Sequence, residues 1–269
     1  MNIPATERRN PRSMHLDRMS TEEMARLVID ENHVAVDAVL AASADVARAV
    51  DAVAEAFDRG HRLFYVGAGT SGRLGVIDAA ECPPTFGVPY DLVTGIIAGG
   101  PERMFRAGEN EEDNAVRGAA AIRENGVAEG DVVVGVSAAG NAAYVVGALE
   151  AAKAIGAITV GLCCNPDTAV LRTADIPIFT DTGAEVLTGS TRLKAGTAQK
   201  IVLNTLTTCA MAKTGKVYEN MMINLAPSNE KLHRRVVRIV REILACSEEE
   251  AIARLDANEW SIRRAVSAE

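Results

Sequence analysis

Aromatic residues are scarce in this sequence: they make up 4% of its 269 residues, and tryptophan occurs once. Proteins that bind single-stranded nucleic acids stack the bases on aromatic side chains, so a stacking surface of that kind is not expected here. The formal net charge of −8 also works against a polyanionic partner, because any anion must then be captured by a local site. We therefore predict no nucleic-acid partner.

The sequence also lacks the patterns that hold metals, disulfides or membranes. Its five cysteines form no CxxC pair and have no histidine at ligand spacing. No stretch reaches the roughly 18 apolar residues of a membrane helix, and residues 1–20 are polar rather than leader-like. We expect no metal, no cofactor held by cysteines, no membrane partner and a cytoplasmic location.

The sequence does contain short apolar runs that alternate with helical segments. The helical segments lie near 71–80, 112–124 and 142–155. Such βαβ units pair in parallel through right-handed crossovers. The predicted fold class is α/β, a three-layer α/β/α sandwich around a parallel five-stranded sheet. The strands are predicted at 62–66, 92–98, 132–136, 157–162 and 176–179.

Helices are also predicted on both sides of this core. Ser20 and Glu23 form a capping-box pattern that begins one helix, and a second is expected from about Val34 to Arg59. Later helices are predicted at 194–214, at 229–245 and, as two short ones, within 247–269. We expect three parts, an N-terminal helical segment packed on the core, the α/β domain and a small C-terminal helical extension. These parts are residues 1–60, 61–225 and 226–269.

A glycine-rich loop follows the first predicted strand. Gly67, Gly69 and Gly72 permit a tight turn that leaves backbone amides free at the start of the next helix, which is typical of an anion site. The spacing also fits the GxGxxG pattern of dinucleotide-binding proteins. However, the second strand ends in 97–100 without the acidic residue that holds a ribose. Because Thr70 and Ser71 add hydroxyl donors, the loop favours a sugar phosphate over NAD.

Two groups of carboxylates follow this loop. Glu81 precedes Pro83 and Pro84, which are predicted to stop the helix and hold the chain near the loop. An acidic run then precedes the third strand and comprises Glu109, Glu111, Glu112 and Asp113. The positive end of a helix dipole stabilises such a run without any function. Two carboxylates become catalytic candidates only if the fold brings them to one pocket.

Several long motifs identify a family. These are YVGAGTSGRLGVIDAAECPPTFGVP, GIIAGG and TGSTRLKAGTAQKIVLNTLTT, with TERRNPRSMHLDRMSTEEM, GKVYENMM and NEKLHRR beyond them. Over roughly residues 5–245 the chain resembles the N-acetylmuramic acid 6-phosphate etherases. The resemblance implies a sugar isomerase (SIS) fold, a homodimer, no metal or organic cofactor, and cleavage of D-lactate from N-acetylmuramic acid 6-phosphate.

The same resemblance implies roles for particular residues. Glu81 and Glu112 match the two catalytic glutamates, with Glu109 as the alternative if that alignment slips. We assign Glu81 as the acid at the departing ether oxygen and Glu112 as the base, and these roles are exchangeable. The product would be N-acetylglucosamine 6-phosphate. The predicted substrate-binding residues are Gly69, Thr70, Ser71, Arg73, Ser137, Gly140, Asn141, Ser190, Thr191 and Lys194.

The segment 190–197 offers hydroxyls and two cations at a helix start, which suits a phosphate or a lactyl carboxylate. Ordinary N-capping by Ser190 or Thr191 explains the same pattern without a ligand. Lys194 is also explained as a surface charge. The resemblance favours the ligand-binding interpretation.

The loop after the third strand departs from the family pattern. The family reads AASGRTPYV where this chain reads SAAGNAAYV from Ser137, so Ala139, Asn141 and Ala142 replace a hydroxyl, a cation and a second hydroxyl. A charge-assisted hydrogen bond contributes about 1.5 to 3 kcal/mol, so we expect phosphate affinity to fall tenfold or more. Ser137, the Asn141 amide and the backbone at Gly140 are the groups that could compensate.

Alternative functions remain open at this point. A non-catalytic sugar-phosphate sensor resembling the glucokinase regulatory protein would explain the altered loop, whereas the retained Glu81 and Glu112 disfavour it. An NAD-dependent oxidoreductase rests on GxGxxG alone. An isomerase acting on a related phosphosugar, or an etherase of altered specificity, is the remaining alternative. His233 is kept as a site candidate, and Cys82 is interpreted as a packed thiol.

Overall fold

The computed structural model describes residues 3–108, 111–225, 227 and 230–267. A parallel five-stranded sheet forms its centre, with the strand order β2-β1-β3-β4-β5. The predicted fold class is therefore confirmed. The strands are β1 (Leu63–Gly67), β2 (Val93–Ile97), β3 (Val132–Val136), β4 (Ile158–Cys163) and β5 (Ile176–Phe179).

Helices cover both faces of the sheet. Alternate strand residues point to opposite faces, so Leu63 and Tyr65 of β1 enter one core while Phe64 and Val66 enter the other. The first core is closed by α2 (Ser43–Asp58), α3 (Gly69–Phe86) and α7 (Lys194–Lys213), with α1 (Thr21–Ala41) packed along α7. The second is closed by α4 (Ala115–Glu124), α5 (Ala143–Ile155) and α6 (Ala169–Thr173).

The N-terminal helices differ from their predicted bounds. Helix α1 begins with the expected capping box, in which Ser20 accepts from the Glu23 amide and Glu23 accepts from the Ser20 amide. It then runs to Ala41, and α2 begins at Ser43, so the prediction of one helix from Val34 was wrong. Neither glycine nor proline marks the break at Ala42, and the apolar spacing continues across it.

The prediction that Pro83 and Pro84 stop α3 was also wrong, because the helix continues through both to Phe86. A proline ring fixes φ near its helical value, and the lost amide donors fall in the last turn of the helix. The helix ends instead at Gly87, whose φ of 62° is the left-handed conformation of a glycine C-cap. Glu81 consequently lies within a regular helix rather than in a constrained turn.

The C-terminal part forms a small cluster of its own. A hairpin of β6 (Val217–Tyr218) and β7 (Met221–Met222) precedes three helices, which are α8 (Glu230–Leu244), α9 (Glu248–Ala257) and α10 (Ile262–Ser267). Their apolar side chains share a core that is separate from the two cores beside the sheet. The boundaries at 60/61 and 225/226 stay predictions. Over the described residues, no helix combines the length and the apolar character that crossing a bilayer requires.

Candidate functional site

A cavity of about 200 Å³ opens where β1 and β3 end. In this strand order the chain leaves β1 toward one edge of the sheet and β3 toward the other, which makes their carboxyl ends the topological switch point. Ligands of open α/β sheets bind at such a point. The cavity is lined by Ala68, Gly69, Thr70, Ser71, Glu112, Val136, Ser137, Ala138, Ala139, Ala142 and Thr191.

The glycine loop brings the start of α3 against the end of β1. A Cβ on Gly67 would lie 2.6 Å from the Gly72 amide nitrogen, and one on Gly72 would lie 2.5 Å from the Gly67 carbonyl oxygen. Only glycines permit this approach. The first-turn amides of α3, at Gly69, Thr70 and Ser71, therefore open at the cavity wall, where the helix dipole favours an anion.

We expect Gly72→Ala to destabilise the fold by about 1 to 3 kcal/mol, since the new methyl overlaps the Gly67 carbonyl and the Ile97 side chain. Urea denaturation measures the change. Gly196→Ala is the matched control, because its Cβ would meet Thr191 and Thr70 only at 3.5 and 3.6 Å. That control should be neutral or stabilising by up to about 1 kcal/mol. An equal loss in both variants would contradict the close-approach account.

The loop from Ser137 to Ala142 forms the opposite wall. The Ser137 hydroxyl accepts a hydrogen bond from the Gly140 amide at 3.1 Å and so holds the turn. The Asn141 carboxamide oxygen accepts from the Ala169 amide and caps α6, and Asn141 is not a lining residue. Of the groups expected to compensate for the altered loop, Ser137 lines the cavity, whereas Asn141 and Gly140 stabilise the loop from outside it.

The N-terminal segment is linked to this loop by hydrogen bonds through Asn165. The Asn165 side chain donates to the Thr6 hydroxyl at 2.8 Å and to the Ala139 carbonyl at 3.3 Å. The backbone amide of Thr6 donates to the carboxamide oxygen of Asn165. Both side chains are buried. This tie between residues 6 and 165 spans most of the chain, and the sequence offers no local signal for it.

The start of α7 is built differently from the prediction. The buried Glu185 carboxylate accepts from the backbone amides of Lys194 and Ala195 at 3.2 and 3.0 Å, so Glu185 caps the helix and neither Ser190 nor Thr191 does. Burial raises the pKa of Glu185, and the two amides oppose that rise. Thr191 lines the cavity, whereas Ser190 does not.

Lys194 does not present its charge to the cavity. Its ammonium group is buried and pairs with Glu31 of α1 at 2.5 Å. Glu31 also accepts from Asn10 and Arg12 at 2.8 Å each. Burial raises the pKa of Glu31, but these partners, led by Lys194, lower it by a larger amount. The pKa of Glu31 therefore lies below its ordinary value. The surface-charge explanation of Lys194 is therefore wrong, since the residue anchors α7 to α1.

The two predicted catalytic glutamates occupy different places. Glu112 is the middle residue of a short 3₁₀ turn, Glu111–Asp113, and lines the cavity. Glu81 follows Thr70 by eleven residues in α3, which places it about 17 Å farther along the helix axis. It is exposed and does not line the cavity. Glu109, the alternative, lies outside the described residues.

The described wall of the cavity contains no lysine or arginine. The Arg73 side chain turns away and donates to the Met104 carbonyl at 3.1 Å. The positive potential comes instead from two helix N-termini, α3 at Gly69 and α5, whose first turn begins beside the lining residue Ala142. Within the part of the chain that the structure describes, no three His, Cys, Asp or Glu side chains cluster as metal ligands. The arrangement suits a sugar phosphate.

This chain is similar to known proteins in its domain type and in its amino-acid sequence. Residues 45–153 match the family described as glucokinase regulatory protein N-terminal SIS domain, and residues 114–209 match the SIS domain family. The N-acetylmuramic acid 6-phosphate etherase of Mesorhizobium japonicum is 47% identical over 99% of this chain and 87% of its own length. That of Pasteurella multocida is 48% identical over 91% of this chain and 82% of its own. This chain belongs to the N-acetylmuramic acid 6-phosphate etherase family.

Solved structures place this etherase-family chain on the same fold as phosphosugar isomerases. Phosphoheptose isomerase from Neisseria gonorrhoeae has a TM-score of 0.53 at 16% identity, covering 71% of this chain and 98% of its own. A protein of E. coli CFT073 in complex with A5P has a TM-score of 0.51 at 16% identity, covering 72% and 93%. At these identities the likeness shows the fold alone.

Proposed function

We propose that this protein cleaves the D-lactyl ether of N-acetylmuramic acid 6-phosphate and releases N-acetylglucosamine 6-phosphate and D-lactate. It is a carbon–oxygen lyase by this reaction. The observation that carries the proposal is the position of Glu112, a carboxylate at an anion-binding cavity in a chain about half identical to named etherases. The cavity supplies the phosphate site and Glu112 the base.

The phosphate is proposed to bind against the first turn of α3. The amides of Gly69, Thr70 and Ser71 donate to its oxygens, and the hydroxyls of Thr70 and Thr191 add donors from neighbouring walls. Two helix dipoles compensate part of the charge in place of a cation. Lys194, Ser190 and Arg73, which do not line the cavity, act by holding α7 and the neighbouring loops in place.

The chemistry requires one base and one acid. In the open-chain sugar the aldehyde acidifies the proton on C2, and Glu112 removes it. The electron pair forms the C2=C3 double bond as the C3–O bond breaks, and the acid, assigned to Glu81, protonates the departing lactate oxygen. Water then adds to C3 while the proton returns to C2. The sum is one water consumed and no change of oxidation state, so the reaction needs no redox cofactor.

We further propose that the enzyme works as a homodimer in which Glu81 of one copy serves the cavity of the other. The support is the position of Glu81, some three helical turns from the phosphate site and exposed. Its helix face carries Ile77, which is 54% exposed, and the exposed Ala80 and Pro84. A second copy placed on this face would cover apolar surface and bring Glu81 to a sugar ring. We also propose that the protein acts in the cytoplasm.

Release of D-lactate from N-acetylmuramic acid 6-phosphate by the purified protein tests the activity. We expect turnover by the wild type and a loss of 10²- to 10⁴-fold in both Glu81→Gln and Glu112→Gln, the usual contribution of a general acid or base. The controls are N-acetylmuramic acid without phosphate and Glu102→Gln, an exposed carboxylate outside the cavity wall. Undiminished release in Glu112→Gln would contradict the assigned base.

A non-catalytic sugar-phosphate regulator is the second candidate. The match of residues 45–153 to the glucokinase regulatory protein domain favours it, together with the alanines at 139 and 142 in the cavity wall. The same assay separates the two functions. Binding of N-acetylglucosamine 6-phosphate without lactate release would support the regulator, whereas release that depends on Glu112 would exclude it.

We expect Ala139→Ser to lower KM for the phosphosugar by up to about tenfold, with kcat unchanged. Ala139 is exposed at the cavity wall, where a hydroxyl would donate to a phosphate oxygen in both the ground state and the transition state. Initial rates over a range of substrate concentrations measure this change. Ala128→Ser, an exposed site before β3 at the opposite end of the sheet, is the matched control. An unchanged KM in Ala139→Ser would place the phosphate elsewhere.

A further inference from the structure

Gln199 of α7 carries a polar group that the fold leaves unsatisfied. The side chain is 1% exposed, and its carbonyl oxygen accepts a hydrogen bond from the Ser71 hydroxyl at 3.0 Å. Its amide nitrogen is buried and has no partner among the described residues. An unpaired buried donor is rare in proteins, so its presence beside a ligand cavity calls for a physical explanation.

The same hydrogen bond directs the Ser71 proton away from the cavity. Ser71 lines the cavity in the first turn of α3, at the proposed phosphate site. While its proton is donated to Gln199, the hydroxyl offers only lone pairs to the cavity, and lone pairs repel an anion. In this state Ser71 cannot act as the donor that a phosphate oxygen requires.

A half-turn of the Gln199 carboxamide pairs its amide nitrogen and also frees the Ser71 proton. The rotation exchanges the oxygen and the nitrogen without changing the shape of the side chain. The nitrogen then donates to Ser71, whose proton is free to point into the cavity. The carboxamide oxygen is left without a donor, which costs less than an unpaired buried N–H because under-satisfied carbonyl groups are commoner in native proteins.

We propose that Gln199 is a positioning residue that sets the direction of the Ser71 hydroxyl and turns when an anionic oxygen binds. In the bound state the hydrogen bonds run from Gln199 to Ser71 and from Ser71 to the phosphate. The inference rests on the proposed function only in that a phosphosugar occupies the cavity. Gln199 itself does not line the cavity, so it acts through Ser71.

Calorimetric titration with N-acetylglucosamine 6-phosphate tests the proposal in Ser71→Ala, in Gln199→Met and in the double variant. We expect Ser71→Ala to raise Kd about tenfold, the loss of one hydrogen bond to a charged group. We expect Gln199→Met to raise Kd by at most the same factor, because Ser71 then loses the donor that directs its proton to the phosphate. The double variant should be no weaker than the singles, because the two residues act as one unit. Gln199→Glu should bind more weakly still, since a carboxylate only accepts and adds negative charge. KM should follow Kd, with kcat within about twofold of the wild type.

Thr207→Val is the control for general damage to α7, because it removes a buried hydrogen bond to Asp78 two turns beyond Gln199. It should lower Tm and leave Kd unchanged. Gln199→Met with wild-type Kd, or singles whose effects add in the double variant, would overturn the role of Gln199 alone. A wild-type protein that binds no phosphosugar would overturn this inference and the proposed function together.

Discussion

A heterodimer of Glu81→Gln and Glu112→Gln chains should release lactate at about half the wild-type rate, although each variant homodimer is inactive. In a two-fold dimer whose sites each combine Glu112 of one chain with Glu81 of the other, one site of the two retains both carboxylates. The expectation follows from the 17 Å or so along α3 that separates Glu81 from the phosphate site. Two affinity tags isolate the heterodimer for the assay.

A heterodimer of one wild-type chain and one chain that carries both Glu81→Gln and Glu112→Gln should show the opposite result. If the sites are shared between chains, each site of this heterodimer lacks one glutamate and activity falls to the background. If each chain carries a complete site, this heterodimer keeps about half the activity and the first one has none. The two heterodimers together decide between the arrangements, and an inactive first heterodimer would show that Glu81 acts within its own chain.

Replacing Glu31 by leucine should cost about 3 to 5 kcal/mol of stability, the largest loss we expect from a single substitution in this protein. The Lys194 ammonium group is buried and forms an ion pair with Glu31 in the described part of the chain, so the variant leaves a buried charge without compensation. Lys194→Met should cost less, because Asn10 and Arg12 still donate to the Glu31 carboxylate. Urea denaturation followed by circular dichroism measures both.

The double variant Glu31→Leu, Lys194→Met provides the control. It removes both charges, so it should be more stable than Glu31→Leu alone, with a coupling energy of about 1 kcal/mol or more between the two sites. Asp51→Leu, which removes an exposed ion pair with Lys213, should change stability by less than about 1 kcal/mol. Additive effects of the Glu31 and Lys194 substitutions would contradict a buried, mutually dependent pair.

The same ion pair should make stability depend on pH in the acidic range. Burial raises the pKa of Glu31, but Lys194, Asn10 and Arg12 more than offset this and hold it below the ordinary value of 4.5. A carboxyl with a lowered folded pKa contributes stability that is present above pH 4.5 and is lost as the pH falls through the folded pKa. The advantage of the wild type over Lys194→Met should therefore shrink below pH 4.5, as urea titrations at several pH values would show. A constant difference would exclude this linkage.

The sequence alone determined the sheet and the glycine loop beside the cavity. Short apolar runs separated by helical segments specify parallel βαβ units, because a strand buried on both faces needs a helix to cross back to the next strand. The glycines at 67, 69 and 72 specify a tight strand-to-helix turn, because a Cβ at 67 or 72 would overlap the backbone and Gly69 has a left-handed φ of 53°. These are local rules, so the sequence was enough to apply them.

Rules that use only neighbouring residues failed at two helix boundaries. The apolar spacing runs through Ala42 without a breaker, and only packing of α1 and α2 on α7 defines two helices there. Pro83 and Pro84 act as helix stops in local rules, whereas the observed helix ends at Gly87. At Ala42 the boundary is decided by contacts that the spacing of residues does not record, whereas at Gly87 it follows from the glycine C-cap.

Only the tertiary structure decided which polar groups face the ligand. The sequence placed Lys194 at a phosphate site, but Glu31, some 160 residues earlier, takes up its charge, and Glu185 rather than a hydroxyl caps α7. The sequence also contains no signal for Gln199, whose proposed role rests on the unpaired amide beside Ser71. Burial makes each of these groups find a partner, and the partner's identity depends on which distant segment the fold brings alongside.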